Sequence, residues 1–528
     1  MTLQTQPKIA TLWRRVELSF SGPTDGNPYL DVDLVVTFRH GSREVRVTGF
    51  YDGEGTYRAR LLPDEMGTWS WQTHSNIAGL SRLSGQLEVG PALSDDHGPV
   101  RVFRTHHFRY ADDTPYLNIG TTAYVWNLQG DGTEQQTLTT LADAPFTKIR
   151  MCVFPKHYRY NQNEPDIYPF QLVWKGESSW PRPDPFEGWI FDCNRVEPAY
   201  FRHLEQRIDD LAALGIEADL ILLHPYDRWG FSRMTAEQDD RYLRYLVARL
   251  GAFPNVWWSM ANEYDFMFNK TIADWNRMIE VVASADPYGH LLSIHNGFGP
   301  FDYHHPRITH VSIQRPFAER CSEWRETFSK PVSVDECRYE GDIGENWGNI
   351  SGRELVHLFW LGTVSGGYLT HGETFYNDSE TLWWSKGGTL VGESVARLAF
   401  LRRILQSGPG DELDPVTSTG FYRIQKAGGL DHVTLPELLG PAPGEESWPR
   451  AGTPYPTAAK ANEFYLSYFC DWQPREVQVA VPPDQHYSAT LIDTWEMTQV
   501  GVGARVKRGD MLYIPVKPRQ ALLLRRVE

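Results

Sequence analysis

The feature that most constrains the fold is a short apolar run, residues 256–264 (VWWSMANEY), that ends abruptly in Asn262 and Glu263. The run is too short for a stable helix and rich in β-favouring residues, so it predicts a buried strand. A second run, residues 331–336 (PVSVDE), has the same form and ends in Glu336. In a parallel α/β barrel the carboxyl ends of the strands converge over one mouth. The two runs therefore predict a pair of carboxylates at that mouth.

The chain between residues 116 and 405 alternates short apolar runs with amphipathic segments, which is typical of eight strand–helix units in a TIM barrel. The predicted strands are residues 116–120, 147–153, 216–223, 256–260, 291–294, 310–313, 332–334 and 367–370. The predicted helices are residues 135–142, 198–214, 237–250, 274–284, 317–328, 352–364 and 393–405. A long segment without a regular pattern, residues 155–195, follows the second strand, and loops of this length are usually functional.

Strand patterns flank the barrel on both sides. Residues 12–100 contain short alternating strands separated by Gly, Asp and Pro, a pattern typical of a β-sandwich. Beyond the barrel, segments 463–469 and 521–524 predict a small antiparallel domain. The predicted fold class is therefore α/β, with an N-terminal β-sandwich at residues 1–100, a (β/α)8 TIM barrel at 101–407 and a C-terminal antiparallel β domain at 408–528.

The charge balance argues against one class of partner. The 528 residues carry 51 Lys and Arg against 67 Asp and Glu, and the formal net charge of -16 has the wrong sign for nucleic-acid binding. The 19 tryptophans suit either a large core or flat surfaces on which sugar rings stack. Nucleic acid is therefore not an expected partner, and the oligomeric state is left open.

Neither a metal nor a cofactor is predicted. The five cysteines are odd in number and widely spaced without a CxxC pair, so a disulfide framework or zinc site is not expected. The histidines also lack the spacing of metal ligands. The first residues lack a basic segment followed by an apolar core, and no long uncharged apolar run occurs. The sequence therefore predicts a cytoplasmic protein without a membrane span.

The placement of Glu263 and Glu336 after the fourth and seventh strands resembles clan A of the glycoside hydrolases, which are TIM-barrel retaining glycosidases. In that clan the acid/base follows an Asn at the end of strand four, and the nucleophile ends strand seven. The resemblance implies that Glu263 is the acid/base and Glu336 the nucleophile, and that Asn262 contacts the sugar 2-hydroxyl. It also implies that Arg150 lies near the nucleophile, where a cation keeps a carboxylate ionised. The overall plan resembles a bacterial family of candidate glycoside hydrolases with the same three domains.

The neighbours of the nucleophile leave an alternative open. Asp335 competes with Glu336 for this role, but consecutive strand residues point to opposite sides, which favours Glu336. On the sixth strand many clan members carry Tyr or His, whereas this chain has Gln314 followed by Arg315.

Further residues near strand ends are candidates for sugar contacts. They are Trp126 after the first strand, His224 and Tyr226 after the third, and His371, Glu373, Trp383 and Trp384 after the eighth. His224 is equally consistent with a packed core histidine, and Glu373 with an ion-paired carboxylate. The Trp383-Trp384 pair fits either a stacking platform or the core.

Two carboxylates at one barrel mouth are what hydrolysis of a glycosidic bond requires. The leading hypothesis is a retaining glycoside hydrolase that acts by double displacement. We expect exo action on oligosaccharides or small glycosides, because the long loops after strands two and eight would close a pocket. One alternative is a non-catalytic carbohydrate-binding protein. Another is an inverting hydrolase, whose carboxyl groups would lie about 6.5–9.5 Å apart rather than about 5–5.5 Å.

Overall fold

A computed structural model describes residues 10–175, 188–377, 381–408, 412–416, 455–460, 462–479 and 481–528. In these residues the chain forms an N-terminal pair of β-sheets, a parallel eight-stranded barrel and a C-terminal antiparallel sheet, which confirms the predicted fold class. All five cysteines are unpaired. Within the described residues, no helix is both long and apolar enough to cross a membrane.

The N-terminal unit consists of two sheets around an apolar core. One sheet has the spatial order Ala10–Thr11, Ser84–Gly90, Gly67–Ser75, Leu34–His40 and Arg43–Thr48, and the other has Val16–Ser21, Thr56–Leu61 and Phe50–Tyr51. Inward-facing residues such as Phe38 and Trp69 are buried, and their neighbours along the strands are more exposed. The strand Leu34–His40 begins only after Pro28–Asp31, which forms a helical turn that the Asn27 side chain caps.

The barrel consists of eight parallel strands whose order around the sheet follows their order in the chain. They are β1 (Ile119–Thr122), β2 (Lys148–Cys152), β3 (Glu217–Leu223), β4 (Val256–Ala261), β5 (Leu292–Ser293), β6 (Val311–Gln314), β7 (Val332–Glu336) and β8 (Tyr368–His371). Strand β8 pairs with β1, and an isolated bridge between His295 and Ser312 joins the ends of β5 and β6. The sheet therefore closes, and the carboxyl ends of its strands surround one mouth.

Helices cover the outside of the barrel. They are α1 (Asp131–Asp143), α2 (Pro198–Ala213), α3 (Ala236–Leu250), α4 (Ile272–Ala285), α5 (Cys321–Phe328), α6 (Gly352–Val364) and α7 (Ser394–Gln406). Capping boxes at Thr235 and Thr271 begin α3 and α4. Residues 294–310, all of them described, run from β5 to β6 without a helix, in agreement with the seven predicted helices, so one of the eight expected strand–helix units lacks its helix. Pro300 and Pro306 remove backbone donors from this segment.

Shorter elements connect the barrel strands and helices. A hairpin of Phe170–Lys175 and Trp189–Val196 lies in the long segment after β2, of which residues 176–187 fall outside the described part. Another hairpin, Val100–Phe103 with His107–Tyr110, precedes β1, and Glu340–Gly341 pairs with Glu373–Thr374. Short helical turns are Ala78–Leu80, Trp126–Leu128, Phe231–Arg233, Tyr264–Phe266, Ala318–Arg320 and Trp383–Lys386.

The C-terminal unit is an antiparallel sheet that packs on the barrel through α6. Its main sheet has the order Asp414–Pro415, Thr457–Lys460, Phe464–Tyr468, Gln520–Val527, His486–Asp493 and Thr498–Val506, and Glu476–Gln478 pairs with Met511–Tyr513. The Tyr468 ring stacks 5.9 Å from that of Trp360, and its hydroxyl lies 2.9 Å from His357 Nδ1. The contact joins the apolar cores of the sheet and the barrel.

Buried ion pairs join the N-terminal unit to the barrel. The carboxylate of Glu205 on α2 contacts Arg60 at 2.7 Å and Arg249 at 2.6 Å, and Arg249 also contacts Asp52 at 2.8 Å. All four residues are buried. Because buried charges are costly unless they are paired, this set requires the two units to remain docked.

Candidate active site

Glu263 follows Asn262 at the carboxyl end of β4. Its backbone has a φ of 52°, in the left-handed region that residues with a side chain rarely occupy. Asn262 Nδ2 donates to Glu263 Oε2 at 3.1 Å, and the hydroxyl of Tyr226, after β3, donates to the same oxygen. Burial raises the pKa of Glu263, and the nearby Glu336 carboxylate raises it further. Glu263 therefore retains its proton to higher pH than an exposed glutamate.

Glu336 is the last residue of β7. The hydroxyl of Tyr124, after β1, donates to Glu336 Oε1, and His295 Nε2 lies 3.3 Å from the same oxygen. Burial opposes ionisation of this carboxyl, but the contacts with His295 and Tyr124 outweigh burial and lower the pKa of Glu336. The pKa values of the two glutamates are therefore shifted in opposite directions.

Asn262 and Tyr124 connect the two glutamates. The Tyr124 hydroxyl, which donates to Glu336, also lies 3.1 Å from Asn262 Oδ1, and Asn262 in turn donates to Glu263. The structure thus brings Asn262 and Glu263, which follow β4, together with Glu336 at the end of β7.

Gln314 on β6 provides a second connection. In the orientation that gives both amide atoms suitable partners, its nitrogen lies 3.2 Å from Glu263 Oε1 and 3.3 Å from His295 Nε2. His295 is the residue that contacts Glu336. Gln314 occupies the position where many clan A members carry Tyr or His. It contacts Glu263 directly and is linked to Glu336 through the imidazole of His295.

Arg150 and Asp335 are fully buried inside the barrel. Asp335 lies 2.7 Å from Lys148 Nζ and 3.3 Å from Arg150 Nη1, and these cations hold the pKa of Asp335 well below its usual value despite burial. Arg150 Nη2 contacts Asn262 Oδ1 at 3.4 Å. Of the two adjacent carboxylates, Glu336 keeps 12% of its side chain exposed and Asp335 none. Arg150 is enclosed, and its charge helps to lower the pKa of Glu336, so it lies near that carboxylate without an exposed surface for a sugar.

Lys156, in the loop after β2, lies among aromatic rings at the mouth. Its Nζ is 3.6 Å from the centre of the Tyr124 ring and 4.2 Å from that of Tyr226. The rings of Trp384 and Tyr158 are 5.1 Å and 5.3 Å away. Burial lowers the pKa of Lys156. An ammonium group therefore lies within the same site as the two glutamates.

Sequence reasoning missed Tyr124, Lys156 and His295. They follow β1, β2 and β5 by two, four and two residues respectively. Every strand of a closed barrel ends at the same mouth, so the polar and aromatic residues just beyond each predicted strand were the available signal.

Three predicted contact residues are enclosed in the core. Trp126 and Trp383 are each at most 1% exposed, and Trp383 Nε1 donates to Thr121 Oγ1 at 2.9 Å. His371 is fully buried and stacks on Phe146 with ring centres 4.8 Å apart. An enclosed ring has no face on which a sugar can stack, so we correct the prediction that these three residues contact substrate.

The remaining predicted contacts differ in their surroundings. His224 is buried, with Nε2 3.3 Å from the Phe154 carbonyl oxygen, which favours the packed alternative. Trp384 is largely buried, but its ring lies 5.5 Å from that of Tyr124 and forms part of the wall around Lys156. Tyr226 reaches the mouth directly through Glu263.

Glu340, His371 and Glu373 are the described residues whose donor atoms could hold a metal ion, since these atoms lie within 4.8 Å of one another. Both carboxylates already accept backbone N–H bonds from residues 391–394, at 2.6–3.1 Å, at the start of α7. A metal ion at this site would compete with these four backbone N–H donors for the carboxylate oxygens. Burial raises the pKa of Glu373 to about 7. Glu373 is thus a buried carboxylate whose oxygens cap the start of α7, a role that differs from both the sugar contact and the ion pair weighed for it.

Comparison with protein-family models identifies three matching segments of the chain. Residues 104–389, more than half of the chain, match the family described as "Apiosidase-like, catalytic domain". Residues 10–76 and 454–523 match two domains of unknown function, DUF5060 and DUF5605. No curated protein matches the chain.

Solved structures extend the similarity to the whole chain. A candidate glycoside hydrolase from Bacteroides vulgatus is 35% identical, with a TM-score of 0.86 over 99% of this chain and 100% of that chain. A glycoside hydrolase family 5 protein from the same organism, 15% identical, shares the fold with a TM-score of 0.57 over 81% of this chain and 93% of that chain. The chain therefore belongs to the apiosidase-like family, and it is a glycoside hydrolase.

Proposed function

We propose that this glycoside hydrolase acts with retention of configuration, with Glu263 as the general acid/base and Glu336 as the nucleophile. One observation carries the proposal: within one connected site the pKa of Glu263 is raised and that of Glu336 is lowered. Double displacement needs one carboxyl protonated and the other ionised at the same pH. The directions of the two shifts support this assignment of roles rather than its reverse.

The proposed reaction has two steps. Glu336 attacks the anomeric carbon while Glu263 protonates the departing oxygen, and a covalent glycosyl-enzyme forms as the leaving group departs. Glu263, now ionised, takes a proton from water that attacks the same carbon and releases Glu336. Tyr124 and Tyr226 hold the two carboxyls in place by hydrogen bonds.

The substrate that we propose is a glycoside with a terminal apiosyl residue, because the barrel matches the apiosidase-like family. Exo action is supported by contacts between loops of different strands. The rings of Tyr158 and Tyr160, after β2, lie 5.5 Å and 6.1 Å from Trp384, after β8. Trp347, after β7, lies 5.0 Å from Trp384. Such a wall favours a pocket over an open cleft, and a pocket suits the end of a chain.

Turnover of aryl glycosides tests the proposal. The panel contains apiosides, other pentosides and hexosides, and NMR at early times reports the anomer released. We expect turnover of the apioside with retained configuration. Release of the inverted anomer would favour the inverting mechanism. Sugar binding without turnover of any glycoside would favour the non-catalytic carbohydrate-binding alternative.

Azide rescue separates the roles of the two glutamates. Glu263→Ala still forms the glycosyl-enzyme from an activated aryl glycoside, because a good leaving group needs no proton, and azide then gives a glycosyl azide of retained configuration. Glu336→Ala loses the first step, so azide yields the inverted product alone. Glu323→Ala, at an exposed surface glutamate, serves as the control and keeps wild-type turnover. If azide instead gives the inverted product with Glu263→Ala and the retained product with Glu336→Ala, the roles of the two glutamates are reversed.

A further inference from the structure

Lys156 places a nearly buried amino group beside the two glutamates. The residue is 3% exposed, and among the residues that the structure describes none accepts a hydrogen bond from its Nζ. Aromatic rings surround the ammonium group instead, and the nearest ring centre is 3.6 Å away. An ammonium group has three N–H donors, and burial without acceptors is unfavourable. Cation–π contacts offset part of this cost but leave the donors unused.

The two aromatic residues nearest to the ammonium group also contact the two glutamates. They belong to Tyr124 and Tyr226, and the hydroxyls of these residues donate to Glu336 and Glu263 respectively. Lys156 therefore lies beside both carboxyls, and its charge interacts with each of them.

The backbone around Lys156 is held on both sides. Its carbonyl oxygen accepts a bond from Asn161 Nδ2 at 2.6 Å, and the N–H of His157 donates to the Tyr226 carbonyl oxygen at 2.9 Å. Asn161 is itself buried. The backbone that carries the lysine is thus held in place before any ligand arrives, as expected for a group that positions a ligand.

We propose that Lys156 is a substrate-binding residue whose ammonium group donates to a hydroxyl of the glycone. This inference rests on the proposed function, since it assumes that the glycone lies between Glu263 and Glu336. A sugar carries several oxygen acceptors, which are the partners that the ammonium group lacks.

Charge balance points to a neutral glycone rather than a uronic acid. With Glu263 protonated, the negative charge of Glu336 balances that of Lys156. A carboxylate on the glycone would add an uncompensated negative charge to a buried site. The charges deeper in the barrel also cancel, since Lys148 and Arg150 pair with Asp219 and Asp335.

The first test compares Lys156→Met with the wild type on the aryl glycoside that the wild type hydrolyses fastest. We expect kcat/KM to fall about 10- to 100-fold, the loss expected for one hydrogen bond to a charged group. Deoxy analogues of the same glycoside then remove the hydroxyls singly. Loss of one hydroxyl should slow the wild type by a similar factor and leave Lys156→Met unchanged. Equal losses in both enzymes at every position would overturn the proposal, as would faster turnover of a uronide than of the neutral glycoside.

Thermal unfolding provides a readout that does not depend on turnover. Met fills the aromatic cage without a buried charge, so the unfolding midpoint of Lys156→Met should equal or exceed that of the wild type. A midpoint lowered by several degrees would make Lys156 structural and overturn the proposal. Lys330→Met is the control, because Lys330 donates to the carbonyl oxygens of Tyr303 and His305, and its loss should lower the midpoint without changing kcat/KM.

The two proposals fail in different ways. If the proposed function is wrong, the wild type turns over no glycoside, or Glu336→Ala keeps wild-type turnover. The unfolding midpoint of Lys156→Met still decides the role of the lysine in those cases. If only the inference is wrong, Glu336→Ala is inactive whereas Lys156→Met keeps the wild-type kcat/KM.

Discussion

The hydroxyl of Tyr124 donates to Glu336, although Tyr124 follows β1 and Glu336 ends β7. Strand β8 lies between these two strands, so the bond crosses part of the barrel mouth. A hydrogen bond to an ionised carboxylate is stronger than one between neutral groups and fixes the orientation of the acceptor. Tyr124 therefore both orients Glu336 and favours its ionised form.

Tyr124→Phe removes this bond and little volume. We expect kcat to fall about 10- to 100-fold, because a hydrogen bond to a charged group contributes about 1.5–3 kcal/mol. The acidic limb of the pH profile of kcat/KM should also move to higher pH, since the bond lowers the pKa of Glu336. Tyr242→Phe is the control, because that buried hydroxyl donates to the Leu222 carbonyl oxygen. An unmoved acidic limb in Tyr124→Phe would contradict the prediction.

The pH profile of the wild type should be bell-shaped. Activity requires Glu336 ionised, so it is lost as pH falls through a pKa that lies below the usual value. Activity also requires Glu263 protonated, so it is lost as pH rises through a pKa that lies above the usual value. In Glu263→Gln, assayed with an activated aryl glycoside, the alkaline limb should disappear from the first step. If the alkaline limb persists in Glu263→Gln, it arises from the ionisation of a group other than Glu263.

The sequence predicted the barrel well because its strands are short buried apolar runs between clear helix signals. The fourth strand, predicted at residues 256–260, is Val256–Ala261, and the helix predicted at 352–364 is Gly352–Val364. The N-terminal strand Ser84–Gly90 has a weaker sequence signal, because its exposed face carries polar residues and Gly85 interrupts the pattern.

The site was predictable where it depends on strand order and not where it depends on loop conformation. Glu263 and Glu336 come directly after apolar runs, so the register of their strands brings them to the mouth. Lys156 reaches the same place through a loop whose path depends on bonds from Asn161 and to Tyr226. Burial of Trp383 likewise depends on tertiary packing, which aromatic composition does not reveal.

Glu205→Ala tests the junction between the N-terminal unit and the barrel. The substitution leaves Arg60 and Arg249 buried without their shared carboxylate, so we expect a loss of about 3–5 kcal/mol in the free energy of unfolding. Urea denaturation measures this loss. Glu323→Ala removes one partner of the exposed pair with Arg320 and should change stability by less than about 1 kcal/mol. Equal effects of the two substitutions would show that burial of the junction contributes little.

Glu217 should make the protein less stable as pH rises. The residue is fully enclosed at the start of β3, accepts a bond from Trp257 Nε1 at 3.0 Å, and burial raises its pKa from 4.5 to about 8. The folded chain therefore keeps a proton between pH 4.5 and 8 that the unfolded chain loses, so stability falls across this range. Glu217→Gln keeps the acceptor and cannot ionise. It should match the wild type at pH 4 and exceed it by up to about 5 kcal/mol at pH 9, since each unit of pKa shift corresponds to about 1.4 kcal/mol. Urea midpoints at both pH values measure the difference, and parallel pH dependences of the two proteins would contradict the assignment to Glu217.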